Sequence, residues 1–216
     1  MNNDVTSHLV TLRDFLRYAA SRFNKAELNF GHGTDNAFDE AAFLVLEALT
    51  LPIDKLEPFL DAALLMDERQ RLAELIDARV TTRKPLPYLL NKAYIQGVPF
   101  FVDERVIVPR SYIGEILAGD LLTGQEESLI PDPKVIRSVL DLCTGSACLA
   151  ILAAKVFGNA ELVATDLSGD ALQVARVNVD KHGLASRITL LEGDLFSTLK
   201  NHQFDLILAN PPYVAE

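Results

Sequence analysis

Near the end of the sequence an apolar run, Phe204 to Ala209, leads into Asn210-Pro211-Pro212-Tyr213. Two prolines fix φ and lack donors, so a rigid loop is the simplest reading. Rigidity does not explain the amide and the aromatic ring that flank them. A planar NH2 group bonded to a carbonyl or a ring is a poor nucleophile, because its lone pair is delocalised. The Asn210 side-chain oxygen and the Pro211 carbonyl could accept both of its N–H protons and aim the nitrogen at an electrophilic methyl group. Tyr213 could stack on the planar group and hold it in line. Such positioning lowers a barrier without a strong base, since the proton can leave after transfer.

Three other loops carry polar residues suited to a ligand. Asp141-Leu142-Cys143-Thr144-Gly145-Ser146-Ala147-Cys148 follows an apolar run and precedes a helical one. Its small residues let backbone approach a ligand, and a helix N-terminus offers free N–H groups. Alone, this loop is equally well a tight turn. Asp166 stands about twenty residues further on, the offset at which a carboxylate reaches ribose hydroxyls, and together they favour an adenosine ligand. The third loop is Glu192-Gly193-Asp194-Leu195-Phe196.

These loops need a scaffold, and the periodicity from Val135 onward supplies one. Strands are expected over 138–143, 161–165, 188–191 and 204–209, with helices over 149–157 and 170–182, the latter capped by Ser168. Strand–helix alternation at this spacing means right-handed βαβ units and a parallel sheet, an α/β fold with ligands at the carboxyl ends of the strands. Residues 1–90 read as a small helical domain. One apolar face runs through Leu9, Leu12, Phe15, Leu16, Ala19 and Phe23. A second helix, capped by Asp35 or Asn36, buries Phe38, Ala41, Ala42, Val45 and Leu49, and a third spans about Asp67 to Arg83. Residues 91–134 hold a hairpin (93–102, then 106–110), a helix over about 111–122 and an acidic surface loop containing Gly124 and Glu126. The α/β part occupies 135–216.

The chain has 216 residues, 20 basic and 30 acidic, for a net charge of −10. That sign repels phosphate backbones and suits basic or neutral partners, so no direct nucleic-acid binding is expected. Two cysteines without CxxC spacing and four scattered histidines make a metal site a poor expectation. Cys143 and Cys148 read as buried small apolar side chains. His32 reads as a turn or capping residue, while His8, His182 and His202 show no partner by spacing. Phe100 and Phe101 read as core. Arg110 faces either the active cleft or a surface ion pair. Without a spanning run or signal peptide, the expected location is cytoplasmic, with no membrane partner.

The Asn-Pro-Pro-Tyr run, the Asp-Leu-Cys-Thr-Gly-Ser loop, Asp166 and Gly-Asp-Leu-Phe resemble class I S-adenosylmethionine-dependent methyltransferases (Rossmann-like) that modify glutamine side-chain amides. Phe30-Gly31-His32-Gly33-Thr34-Asp35-Asn36-Ala37 and the run Phe101 to Ser111 look like the branch acting on the third protein of the large ribosomal subunit. A sister branch acts on release factors. The resemblance implies S-adenosylmethionine as cofactor and a basic ribosomal protein as substrate, selected with help from the helical domain. It implies that Cys143, Thr144, Gly145, Ser146 and Ala147 cradle the methionine part, beside Asp141. Asp166 would hold the ribose, and Asp194 with Leu195 would border the adenine. Asn210, Pro211, Pro212 and Tyr213 would bind the glutamine, with Asn210 also near the cofactor.

Ala147 stands where the family usually has Gly, and a β-carbon there would crowd the cofactor or a positive-φ backbone at a cost of about 1 kcal/mol. Tyr112 replaces a common Pro. The family's sheet has more strands than this sequence reaches, so the catalytic domain is expected to be truncated after the fourth strand. That strand would be an apolar edge that invites pairing with a second copy. Adenine-N6 methyltransferases share the Asn-Pro-Pro-Tyr geometry and form one alternative. The release-factor branch is another, and a non-catalytic fragment that only binds a ribosomal protein is a third.

Overall fold

The computed structural model describes residues 3–31, 33–119, 122–123, 127–200 and 202–212. His32, Gly124, Glu126 and Tyr213 therefore lie outside the described residues. The chain divides into two compact units, Met1–Asn91 and Lys92–Glu216, each with its own core.

The first unit is helical: α1 (Asn3–His8), α2 (Leu12–Lys25), α3 (Ala37–Ala48), α4 (Met66–Thr82) and α5 (Leu86–Leu90). A reciprocal cap starts α2, with the Thr11 hydroxyl accepting from the Asp14 N–H and the Asp14 carboxylate from the Thr11 N–H. Asn36, not Asp35, caps α3 by accepting the Asp39 N–H at 2.9 Å. Phe15, Phe23, Leu44, Leu72 and Ile76 fill the core. Phe38, expected inside, is 54% exposed. It stays outside in the first turn of α3, although Val45, two turns further along the same face, is fully buried. Glu40 goes inside instead, where its carboxylate accepts from Arg79 Nε at 2.6 Å. The same guanidinium donates to the Arg83 and Asn29 carbonyls, so its buried donors find partners.

The second unit opens with β1 (Ala93–Ile95) and β2 (Val98–Phe100), an antiparallel hairpin. Gln96 and Gly97, both at positive φ, make its two-residue turn. Residues 106–110, expected to extend the hairpin, are irregular. Pro109 lacks the N–H that a ladder would need there. The helix that follows, α6 (Tyr112–Ala118), is capped by Ser111 and is shorter than expected because the chain turns out at Gly119.

The sheet consists of β3 (Ser138–Leu142), β4 (Glu161–Asp166), β5 (Ile188–Glu192) and β6 (Leu206–Ala209), all parallel, in the order β5-β4-β3-β6. Helices α7 (Cys148–Val156) and α8 (Gly169–Lys181, capped by Ser168) make the crossovers. This is the expected parallel α/β arrangement of a class I methyltransferase domain. Alternation along β3 turns Val139 and Asp141 to one face and Leu140 and Leu142 to the other, where Leu199 covers them. At the far end of α7, Arg187 donates to the carbonyls of Ala154, Phe157 and Ala160 at 2.7–3.2 Å. The Ala154 carbonyl is among those a helix end leaves without intrahelical partners, Phe157 is the C-cap, and Ala160 lies in the turn that leads to β4. No helix among the described residues is long and apolar enough to cross a membrane.

Candidate active site

The strand register gathers the polar loops. Leu142 pairs with Thr165 on one side and with Ala209 on the other, and Asp166 pairs with Glu192. The residues that follow are therefore side by side at the carboxyl edge: Cys143 to Ala147 from β3, Asp166 from β4, Asp194 and Leu195 after β5, and Asn210 from β6. Pro211 and Pro212 are exposed beside Asn210. The expected stacking by Tyr213 falls on a residue outside those described.

The loop after β3 alternates in backbone sign. Cys143, Gly145 and Ala147 have φ of 55°, 55° and 61°. Ala147 thus occupies the left-handed region expected to penalise a β-carbon. Successive N–H groups turned this way form a concavity that suits a polar ligand. Three hydrogen bonds hold the shape. The Thr144 N–H donates to the Thr165 carbonyl (2.9 Å), the Ala147 N–H to the Thr144 carbonyl (3.0 Å), and the Gly145 N–H to Asp166 Oδ2 (2.8 Å).

Thr144 and Ser146 turn their side chains inward, at 5% and 3% exposure, so what they offer a ligand is backbone. Nothing lies within 4 Å of where a Gly145 β-carbon would sit. The loop therefore leaves room that a side chain would fill, which fits a cofactor lying against it. Asp166 uses one oxygen for Gly145 and the other for the Ser168 N–H at 2.9 Å. Each carboxylate oxygen retains a second lone pair for a hydroxyl.

Asp141 lies beneath this loop at 1% exposure. Its Oδ2 accepts from Thr144 Oγ1 (2.5 Å) and from the Ala150 N–H (3.1 Å), while Oδ1 has no partner among the described residues. Burial pushes its carboxyl up to about 7, against the two hydrogen bonds and with help from the Asp166 charge. The thiols shift the same way. Burial takes Cys148 to about 12 and raises Cys143, where Asp166, Asp141 and Asp194 add to the effect. Neither is a poised nucleophile. Cys148 is buried as expected, but Cys143, in the loop that follows β3, is only half-buried.

The Asn210 amide donates to the Arg110 carbonyl at 3.4 Å, which brings the segment ahead of α6 to the same edge. Spacing alone missed Asn178, which is fully buried and donates to the Ser146 carbonyl at 2.9 Å. Its signal was a polar residue on the apolar face of α8, among Val174, Ala175 and Val179. The histidines without an evident partner acquire ones in space. His182 Nε2 lies 2.9 Å from the Pro99 carbonyl, and the His202 ring stacks on Phe204.

The methyltransferase small domain family matches residues 127–216. Over 210 residues the chain is 56% identical to the ribosomal protein uL3 glutamine methyltransferase of Bradyrhizobium diazoefficiens, covering 95% of this chain and 65% of that one. The proteins of the same name from Burkholderia pseudomallei and Bordetella pertussis are 53% and 51% identical. The matches cover 94% and 99% of this chain and 67% and 70% of theirs. The chain thus spans about two thirds of the length of the curated relatives it matches. With that identity, the chain belongs to the family of ribosomal protein uL3 glutamine methyltransferases.

Proposed function

We propose that this chain takes a methyl group from S-adenosylmethionine and places it on the side-chain amide nitrogen of a glutamine in ribosomal protein uL3, in the cytoplasm. One observation carries the reading. The pairing of Leu142 with Ala209 sets Asn210 beside the loop that begins at Cys143, so an amide-binding group and a cofactor loop share one edge. When bound, the cofactor supplies an electrophilic methyl carbon on a sulfonium.

The protein's part is to hold and to aim. The backbone from Cys143 to Ala147 receives the methionine portion, Asp166 the ribose hydroxyls, and Asp194 with Leu195 the adenine. Asn210 Oδ1 and the Pro211 carbonyl accept the two N–H protons of the glutamine amide and direct its nitrogen. Tyr213 stacks on the amide plane. No side chain at this edge needs to remove a proton before transfer, in keeping with thiols that stay protonated and carboxylates that serve as acceptors.

The helical first unit is the part proposed to select the protein substrate. The net charge of −10 favours a basic partner and disfavours nucleic acid. Family membership supports a glutamine amide over the adenine amine that the Asn-Pro-Pro-Tyr geometry also suits. The test is calorimetric titration of the chain with S-adenosylmethionine, followed by transfer of labelled methyl to purified uL3. Micromolar binding and labelling that Asn210→Ala lowers about a hundredfold are expected. A folded chain that binds no cofactor, or an Asn210→Ala variant as active as the original, would refute the proposal.

A further inference from the structure

We infer that Asn178 is a positioning residue: its buried amide holds the cofactor loop at Ser146 and the segment beginning at Phe101 in one fixed relation. The inference rests on the cofactor reading above for its consequence, though not for its geometry. Asn178 lies on α8 with no exposed surface. Its Oδ1 accepts the Phe101 N–H at 2.7 Å, and its Nδ2 donates to the Phe101 carbonyl at 2.9 Å and to the Ser146 carbonyl at 2.9 Å. An amide has two donors and one oxygen, and all are engaged here. Turning it over would set NH2 against an N–H and oxygen against two carbonyls, so the orientation is determined by its partners.

The reason for an amide is local. Phe100 is the last residue of β2 and pairs with Ala93, the first of β1. The backbone of Phe101 therefore runs past the end of the hairpin with a donor and an acceptor to satisfy. Asn178 pairs with both, as a neighbouring strand would, and has one donor left for the cofactor loop. Other residues of the α8 region hold this segment or the end of β2 that leads into it. His182 meets the Pro99 carbonyl, the Lys181 ammonium lies 5.0 Å from the Phe101 ring centre, and Gln173 accepts from Arg105 at 2.9 Å. The segment's far end, at Arg110, meets Asn210. A single buried amide thus links the loop that would hold the methyl donor to the segment that reaches the amide-binding Asn210.

Two variants and one control test this. Asn178→Asp keeps the shape and the Phe101 N–H bond but sets a carboxylate oxygen against two carbonyls, and Asn178→Leu removes all three bonds. His182→Ala removes the contact to Pro99, just ahead of the segment, and leaves the Asn178 bonds to Phe101 and Ser146 in place. Amide exchange in the ligand-free chain is read at Phe101, Gly145 and Ala147. Both Asn178 variants are expected to speed exchange at the loop amides by about tenfold, and His182→Ala to leave them unchanged.

In an isotope-labelled chain, adding S-adenosylhomocysteine is expected to shift the Phe101 amide resonance along with that of Gly145. Both Asn178 variants would lose the Phe101 response and about tenfold in affinity. A packing role alone would leave that shared response in place. If the loop amides exchange at the original rate in a folded Asn178→Asp chain, the inference is overturned. If the original chain binds no S-adenosylhomocysteine, the cofactor reading fails, while the exchange rates still decide whether Asn178 couples the two segments. Should Asn178→Leu not fold, Asn178→Asp decides alone.

Discussion

Replacing Asp141 with asparagine is expected to flatten the pH dependence of stability in the second unit between about pH 4 and pH 7. Asp141 sits under the loop after β3 with one oxygen bonded and the other without a partner among the described residues, and its carboxyl is raised to about 7. In the unfolded chain the same group titrates near 3.8. The folded state therefore holds the proton more tightly. Its contribution is complete below the unfolded value and is lost as pH rises through the folded one. A difference of about three units corresponds to about 4 kcal/mol across that window.

The carboxylates with lowered values, Asp14, Asp103 and Asp205, have the opposite sign and act below the window, where they lose their contribution as pH falls. The asparagine side chain of the Asp141→Asn variant would resemble the protonated acid in shape and charge, and so would carry no such dependence. Because the chain has two compact units, the assay is native-state amide exchange in β3 and β4, corrected for intrinsic rate, at several pH values. The original chain should lose protection as pH rises from about 4.5 to about 7, and Asp141→Asn should not. Equal slopes in the two proteins, or protection that rises with pH in the original, would refute the reasoning.

Gly145→Ala introduces a β-carbon that meets no protein atom within 4 Å but must adopt a φ of 55°. Stability in urea should fall by only about 1 kcal/mol, while S-adenosylhomocysteine affinity, read by calorimetry, falls about tenfold or more, the effect of filling the space a ligand needs. In the first unit, Arg79→Met leaves Glu40 as a buried charge without its cation. Urea unfolding should show a loss of about 3–5 kcal/mol, well beyond the cost of an exposed pair such as Arg13 with Asp61. Cys148, pushed up to about 12, and Cys143, raised by burial and three carboxylates, should react with a disulfide reagent at about pH 8 far more slowly than a free thiol. Rapid reaction would be expected only after denaturant is added.

Much of the architecture could be read from local pattern, because each strand and helix of the second unit carries its own period and its own stop. Ser168 and Asn36 sit one residue before an apolar-periodic run and do cap helices. The βαβ rhythm was enough to imply a parallel sheet, and with it the gathering of Asp141, Asp166, Asp194 and Asn210 at one edge. What failed to show were features decided by distant partners. Residues 106–110 have strand composition, yet no neighbouring strand among the described residues reaches them. Phe38 is apolar but exposed in the first turn of α3, and Glu40 is charged but buried, because Arg79, thirty-nine positions later, meets it inside. Asn178 had the right type for a clamp, but its partners Phe101 and Ser146 lie far from it along the chain. The positive φ at Ala147 was signalled by its standing in a glycine position, whereas that at Cys143 was hidden, since its side chain does not advertise it.

The bonds from Arg187 to the end of α7 bear on how the domain is made as the chain emerges from the ribosome. Ala154, Phe157 and Ala160 are synthesised well before Arg187; the Phe157 carbonyl can take the Ala160 N–H early, but those of Ala154 and Ala160 keep water as a partner until Arg187 arrives. Arg187 directly precedes β5, which pairs with β4. The residue that seals α7 therefore arrives with the strand that completes this side of the sheet. Packing of the α7 end and docking of β5 become one event, and a nascent chain halted between Ala160 and Arg187 would hold α7 with a hydrated, fraying end.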